Sequence, residues 1–202
     1  MTFSELVERH ADAWQGAVSH PFLDGVRDGS VSVESFNRWL SQDYRFVRSA
    51  LGPQALLLLS APREDQALLI GGLAALESEL TWFETHLTAR GLDQNPPLMP
   101  ANRAYGDFLG AVARGPYTCG IVVTAALERA YLEAWSSARP GAPAYREFVE
   151  HWTTDAFRTY VEALEQAAGR AMTAHPEHAD EAEASFLWVA RYEREFWQMA
   201  FG

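Results

Sequence analysis

The chain has 202 residues, with 27 acidic and 16 basic side chains and a formal net charge of -11. This charge repels phosphate groups and no basic run reverses it locally, which argues against nucleic acid and anionic membranes as partners. Because 48% of the residues are apolar and seven are tryptophan, a disordered chain is excluded. The length predicts a single domain over residues 1–202.

The cysteine content and the N-terminal segment predict where the protein is found. Cys119 is the single cysteine, so the sequence offers no internal disulfide and no cysteine-based zinc or iron–sulfur site. The N-terminal segment is amphipathic and lacks the basic and apolar regions of a secretory signal. The longest apolar run, "ALLLL", is too short to span a bilayer. We therefore expect a cytoplasmic protein.

Apolar residues recur at helical spacing almost throughout, and alternating strand-like runs are missing, which predicts an all-α fold. The first helix is expected over residues 3–18, followed by the loop "SHPFLDGVRDGS". A second helix is expected over 33–61, with Pro53 as a kink or break. Further helices are expected over 63–90 with Gly91 as the C-terminal cap, over 101–113, 117–136 and 144–171, and after "AHPEH" as far as Phe201. About seven helices then form a bundle around a central core.

Three of these helices carry an acidic residue on their apolar face. On a helical wheel, at about 100° per residue, Asp43, Glu128 and Glu193 each project among aromatic and aliphatic neighbours. A buried carboxylate is costly unless it is paired, hydrogen-bonded or protonated. One such acid can be satisfied by an arginine or a tyrosine hydroxyl, but three together predict a polar pocket in which burial and mutual repulsion raise their pKa values.

A metal centre is one interpretation of inward-facing acids. Ferritin-like di-iron bundles use Glu-x-x-His motifs, and none of the six histidines has a glutamate three residues before it. No histidine lies on an apolar face of haem size. His86, near Glu79 and Trp82 on one helix, is interpreted as a structural histidine. We expect no metal and no cofactor.

An organic ligand is the other interpretation. An aromatic residue lies close to each acid on the wheel. The pairs are Phe46 with Asp43, Tyr131 with Glu128, and Phe196 with Glu193. Carboxylates pair with ring nitrogens and amino groups, while aromatic side chains stack on ring faces. The combination predicts a site for a flat, basic heterocycle.

The segments "WLSQDYRFV", "PANRAYGDFL" and "RYEREFWQMA" together resemble the TenA family, the thiaminase II group, in the same order along essentially the whole chain. The resemblance implies a haem oxygenase-like helical bundle that acts on a small-molecule pyrimidine in thiamin salvage. It also implies a homo-oligomer, specifically a tetramer.

The resemblance also implies roles for individual residues. Asp43 resembles the family aspartate that binds the aminopyrimidine ring, and Phe46 resembles its stacking aromatic. Tyr105 resembles a tyrosine that lines the site, although its pattern fits an ordinary core tyrosine equally well. Glu193 resembles the catalytic glutamate, with Phe196 as a ring contact.

The sequence departs from the better-known branch of the family in "TAALERAYLEAW". In that branch the corresponding helix carries a Pro-Cys pair whose cysteine attacks the pyrimidine. Here Cys119 is nine residues before Glu128, about two and a half helical turns away. The segment resembles instead the cysteine-lacking TenA_E branch, associated with aminopyrimidine breakdown products of thiamin. Glu128 is then the acid near the missing thiol, with Tyr131 as a substrate contact beside it.

The predicted function is hydrolysis of 4-amino-5-aminomethyl-2-methylpyrimidine, or of its N-formyl derivative, to the hydroxymethylpyrimidine. Glu193 and Glu128 are the predicted catalytic residues. Two alternatives stay open at this point: a non-catalytic pyrimidine-binding or regulatory protein, and a metal-dependent oxygenase on the same fold.

Overall fold

The computed structural model describes residues 2–202, which form ten α-helices, one short 3₁₀ turn at Pro176–His178 and no strand. The predicted all-α fold is confirmed. In chain order the helices are α1 (Phe3–Arg9), α2 (Ala11–Val18), α3 (Pro21–Asp28), α4 (Val33–Ser60), α5 (Arg63–Ala89), α6 (Pro100–Val112), α7 (Tyr117–Ser137), α8 (Arg146–His151), α9 (Asp155–Ala174) and α10 (Ala179–Phe201).

The N-terminal region differs from the prediction in two places. The helix expected over residues 3–18 is divided at His10, whose backbone leaves the helical conformation. The expected loop after it contains α3. The His20 ring accepts a hydrogen bond from the Phe22 amide and so caps the N-terminus of α3, and Pro21 occupies the first helical position. Both features favour the start of a helix there. Gly29, at φ 87°, ends it in the left-handed conformation.

The helix expected over residues 144–171 is also two helices. The α8 helix ends at His151, and the Thr154 hydroxyl accepts a hydrogen bond from the Phe157 amide to cap a new helix, α9. Elsewhere α4 continues through Pro53 without a break. Gly91 follows α5 at φ 65°, the conformation expected of a helix-terminating glycine.

The α7 helix is the centre of the bundle. It packs against α9, α10 and α2, while α4 packs against α5, α6 and α10. The indole rings of Trp39, Trp135 and Trp197 are completely buried where these layers meet. Burial of a large aromatic side chain stabilises the fold by about 1.5–3 kcal/mol, so this cluster holds α4, α7 and α10 in register. Within residues 2–202 no helix is long and apolar enough to cross a membrane.

Candidate active site

A cavity of about 480 Å³ lies between α4, α5, α7 and α9. Most of its wall is apolar. Three acidic side chains line it, Asp43, Glu79 and Glu128, whereas no lysine or arginine is among the lining residues that the structure describes. A pocket with this lining is complementary to a neutral or cationic ligand that presents apolar faces.

Asp43 lies on α4 and is 2% exposed. Its Oδ2 atom accepts a short hydrogen bond from the Tyr131 hydroxyl on α7, and that hydroxyl accepts a bond of 3.3 Å from Trp39 Nε1. Burial raises the pKa of Asp43 well above its ordinary value, the Tyr131 bond opposes the rise, and the carboxylates of three neighbouring glutamates add to it. The aspartate is therefore fixed in orientation but is not neutralised by a cation.

Glu128 lines the cavity from α7, where the wheel places it. Burial raises its pKa to about 8, and the charges of Glu79 and Glu193 add to the rise. Tyr131, predicted beside Glu128, also lines the cavity but directs its hydroxyl to Asp43 on another helix. A single-helix wheel cannot show that partner.

Glu193, on α10, is 2% exposed and accepts a 2.8 Å hydrogen bond from the Tyr105 hydroxyl on α6. Burial raises its pKa to about 8, and the Tyr105 bond lowers it in part. Neither residue is part of the cavity wall. The Phe46 ring does line the wall, and it lies 4.8 Å from the ring of Tyr105 and 5.5 Å from that of Phe196, between ring centroids. Tyr105, Glu193 and Phe196 thus form a layer directly behind Phe46.

A fourth carboxylate, Glu79 on α5, was missed as a site residue by the sequence interpretation. It accepts a 2.7 Å hydrogen bond from Trp152 Nε1, and burial raises its pKa to about 7. The pattern used for the other acids, an acidic residue on the apolar face of a helix, also identifies Glu79. It lies on the same face of α5 as the buried residues Leu69, Leu76 and Phe83.

The nearest histidine does not supply a positive charge to this cluster. His151 lines the cavity, stacks on Trp82 with ring centroids 4.0 Å apart, and has its Nε2 atom 3.9 Å from a carboxylate oxygen of Glu79, a contact that is an ion pair only if the ring is protonated. Burial lowers its pKa to about 4, so the imidazole is neutral at pH 7. Within residues 2–202, no three His, Cys, Asp or Glu side chains form a group that could hold a metal ion.

Cys119 is buried on α7 but is not part of the cavity wall, which its neighbour Gly120 does line. Burial raises the pKa of the thiol to about 11, with Glu181 on α10 contributing to the rise. Since the thiolate is the nucleophilic form, this environment disfavours reactivity.

The model of the TENA/THI-4/PQQC family matches residues 7–202. The chain belongs to this family. Among its relatives, it is 31% identical to a probable bifunctional TENA-E protein from Glycine max, over 97% of this chain and 91% of that protein. It is 26% identical to an aminopyrimidine aminohydrolase from Halalkalibacterium halodurans, over 100% of this chain and 96% of that enzyme. The resemblance to the TenA family is confirmed.

Solved structures of the TenA family share the fold. A TenA homologue from Pyrococcus furiosus superposes with a TM-score of 0.93 at 30% identity, covering 98% of this chain and 100% of that one. A TenA homologue from P. horikoshii, at 20% identity, superposes with a TM-score of 0.89 over 100% of this chain and 99% of that one. The helical bundle described above is therefore the TenA bundle.

Proposed function

We propose that the protein is a thiamin-salvage hydrolase. It converts 4-amino-5-aminomethyl-2-methylpyrimidine, or its N-formyl derivative, to the 5-hydroxymethylpyrimidine without a cysteine nucleophile. The observation that carries the proposal is a cavity lined by three carboxylates and no lysine or arginine, with aromatic side chains around the acids. The similarity to an aminopyrimidine aminohydrolase and to a TENA-E protein supports it.

Asp43 is the residue that binds the pyrimidine ring in this proposal. Its carboxylate accepts from the 4-amino group and from a protonated ring nitrogen, a charge-assisted pair. Tyr131 positions the carboxylate, and Phe46 stacks on the ring. Because burial raises the pKa of Asp43, the aspartate and a basic ring share one proton in this proposal.

The aminomethyl group of the free amine is protonated at neutral pH and supplies the positive charge that the surroundings of the remaining acids lack. An ammonium group that enters between Glu79 and Glu128 favours their ionised forms and so lowers pKa values that burial has raised. The free amine thereby supplies the cation that the cavity wall lacks. Within residues 2–202 the wall offers an anionic ligand no lysine or arginine.

The chemical step replaces the methylene C–N bond with a C–O bond. Glu128 lines the cavity and removes a proton from the attacking water, while the nitrogen leaves as ammonia from the amine or as formamide from the N-formyl derivative. Glu193 lies behind the wall, close enough for its charge to raise the pKa values of Asp43 and Glu128, and in this proposal it is the acid that keeps the leaving nitrogen protonated. Tyr105 positions the Glu193 carboxylate by its 2.8 Å hydrogen bond.

A substrate panel tests the proposal. Formation of the 5-hydroxymethylpyrimidine, the product common to all three compounds, is measured from thiamin, the aminopyrimidine and the formylaminopyrimidine with wild-type protein and with Cys119→Ser. We expect turnover of the aminopyrimidines by both proteins and slow or no cleavage of thiamin. Binding of the aminopyrimidine without ammonia release would identify a pyrimidine-binding protein instead.

A further inference from the structure

The cavity extends beyond the acids to two polar side chains that have no partner outside the pair they form. Gln54 on α4 and Tyr160 on α9 both line it. Gln54 is only 8% exposed. The Gln54 amide is close enough to the Tyr160 hydroxyl to lower its pKa, but neither Nε2 nor that hydroxyl makes a hydrogen bond of normal geometry to any of residues 2–202. Because buried polar atoms in proteins are nearly always hydrogen-bonded, two such atoms side by side in one cavity need an explanation.

The helix facing these atoms leaves room for them. A Cβ atom on Gly72 of α5 would lie 2.2 Å from the Tyr160 hydroxyl oxygen and 2.3 Å from Gln54 Nε2. Only glycine fits there without moving both groups. The preceding residue, Gly71, has open space where its Cβ would be. The requirement for glycine is therefore specific to the position that faces the polar pair.

The pair lies on the same side of α4 as the proposed ring-binding aspartate. Gln54 follows Asp43 by eleven residues, which returns to within about 20° of the same helix face and advances about 16 Å along the axis. The wall between them is apolar, including Val47, Ala50 and Leu57. The Glu128 carboxylate is near enough to Tyr160 for its charge to raise the pKa of that hydroxyl. Glu128 thus lies between the two ends of the cavity.

We propose that Gln54 and Tyr160 form a distal subsite for a neutral substituent on the aminomethyl nitrogen of the substrate. This inference rests on the proposed function, which places the ring at Asp43 and the C–N bond near Glu128. The amide nitrogen and the phenol both donate, so the group they bind is a carbonyl or hydroxyl oxygen. The apolar wall selects a short aliphatic or acyl connection, and the absence of lysine and arginine from the lining excludes phosphate esters.

Binding measurements with three probes test the subsite: the free aminopyrimidine and its N-formyl and N-(3-hydroxypropanoyl) derivatives. Dissociation constants are determined by calorimetry in the slow Glu193→Gln background, for the otherwise wild-type protein and for Tyr160→Phe, Gln54→Met and Gly72→Ala. We expect each variant to weaken the better-bound N-acyl probe about 10-fold while changing the amine less than about twofold, since one hydrogen bond is lost from the acyl group alone.

Gly71→Ala is the matched control, because it adds the same methyl group to the same helix where there is space for it. It should leave all three dissociation constants unchanged. The subsite is overturned if the variants weaken binding of the amine and of the N-acyl probes equally, or weaken neither. In that case the proposed function still stands if the wild type releases ammonia from the aminopyrimidine. Failure of the wild type to bind the amine or either derivative overturns both.

Discussion

Two aspartates of this protein, Asp43 and Asp65, are equally buried, each 2% exposed, and each accepts a hydrogen bond from a tyrosine hydroxyl on α7. They differ in the charges around them. Asp65 is bonded to Tyr117 and forms an ion pair with Arg170. Asp43 is bonded to Tyr131 and faces three glutamates. Burial of an acid therefore does not distinguish a ligand site from a structural pair, whereas the lack of a cationic partner does.

The cluster of acids without a cationic partner consists of Asp43, Glu79, Glu128 and Glu193. The substitution Glu193→Gln tests its role most strongly. The amide keeps the shape of the side chain but cannot exchange a proton, so we expect kcat for ammonia release to fall about 10²- to 10⁴-fold. The melting temperature should stay at or above that of the wild type, because the substitution removes a buried ionisable group. A fall in kcat of less than about fivefold, well below the range of general acid–base catalysis, would remove Glu193 from the mechanism.

Asp43→Ala and Asp65→Ala compare the two aspartates directly. Loss of a charge-assisted hydrogen bond to the ring should raise KM about 10- to 100-fold in Asp43→Ala. Asp65→Ala should leave KM unchanged and lower the melting temperature. Steady-state kinetics and thermal unfolding of both variants separate the roles, and a raised KM in Asp65→Ala would contradict the distinction.

Arg170→Ala tests the structural pair from the cationic side. It leaves the Asp65 carboxylate buried with only the Tyr117 hydroxyl as partner, which we expect to lower the free energy of unfolding by about 1–3 kcal/mol. Urea unfolding measures this change. The kcat of the folded variant should equal that of the wild type, since Arg170 is not part of the cavity wall.

The pH dependence of stability sharpens the same contrast. Glu128 has a pKa of about 8 in the folded protein against an ordinary value of 4.5, so the folded state holds a proton that the unfolded chain releases. Its contribution to stability is complete below about pH 4.5 and is lost as the pH rises through about 8. Glu128→Gln should therefore raise the melting temperature more at pH 8 than at pH 5. Exposed Glu77 on α5 provides the control, Glu77→Gln, which should show no such difference.

Cys119→Ser should have the smallest effect. The thiol is outside the cavity wall and its pKa is raised to about 11, so we expect kcat/KM for the aminopyrimidine to change less than about twofold. Loss of activity in this variant would show that the reaction depends on the cysteine.

Much of the fold follows from local signals in the sequence. The predicted bounds of α4, α5, α6 and α7 agree with the structure to within one residue, because helical periodicity and terminating residues lie close together in the chain. The α3 helix was missed because its glycine, proline and aspartate content is typical of a loop, although a His20 cap starts it. The break at Thr154 was missed because apolar periodicity continues across it.

The candidate site could be predicted only in part. An acid on an apolar helical face is visible in sequence, and the structure buries Asp43 and Glu193 and lines the cavity with Asp43 and Glu128. The bond between Tyr131 and Asp43 joins two helices, so one helix at a time does not reveal it. The role proposed for Gln54 cannot be predicted from the sequence, because a neutral polar residue on a helix carries no distinguishing pattern. Only the structure shows that its buried amide nitrogen lacks a well-formed hydrogen bond.

The indole of Trp152 gives the cavity an optical reporter. Its N–H group donates to the Glu79 carboxylate at 2.7 Å, and its ring is part of the cavity wall. The emission of an indole responds to the charge state of the group it is bonded to and to displacement of nearby solvent. The difference in intrinsic fluorescence between the wild type and Trp152→Phe, which isolates this indole among seven, therefore follows both the titration of Glu79 and the arrival of a ligand.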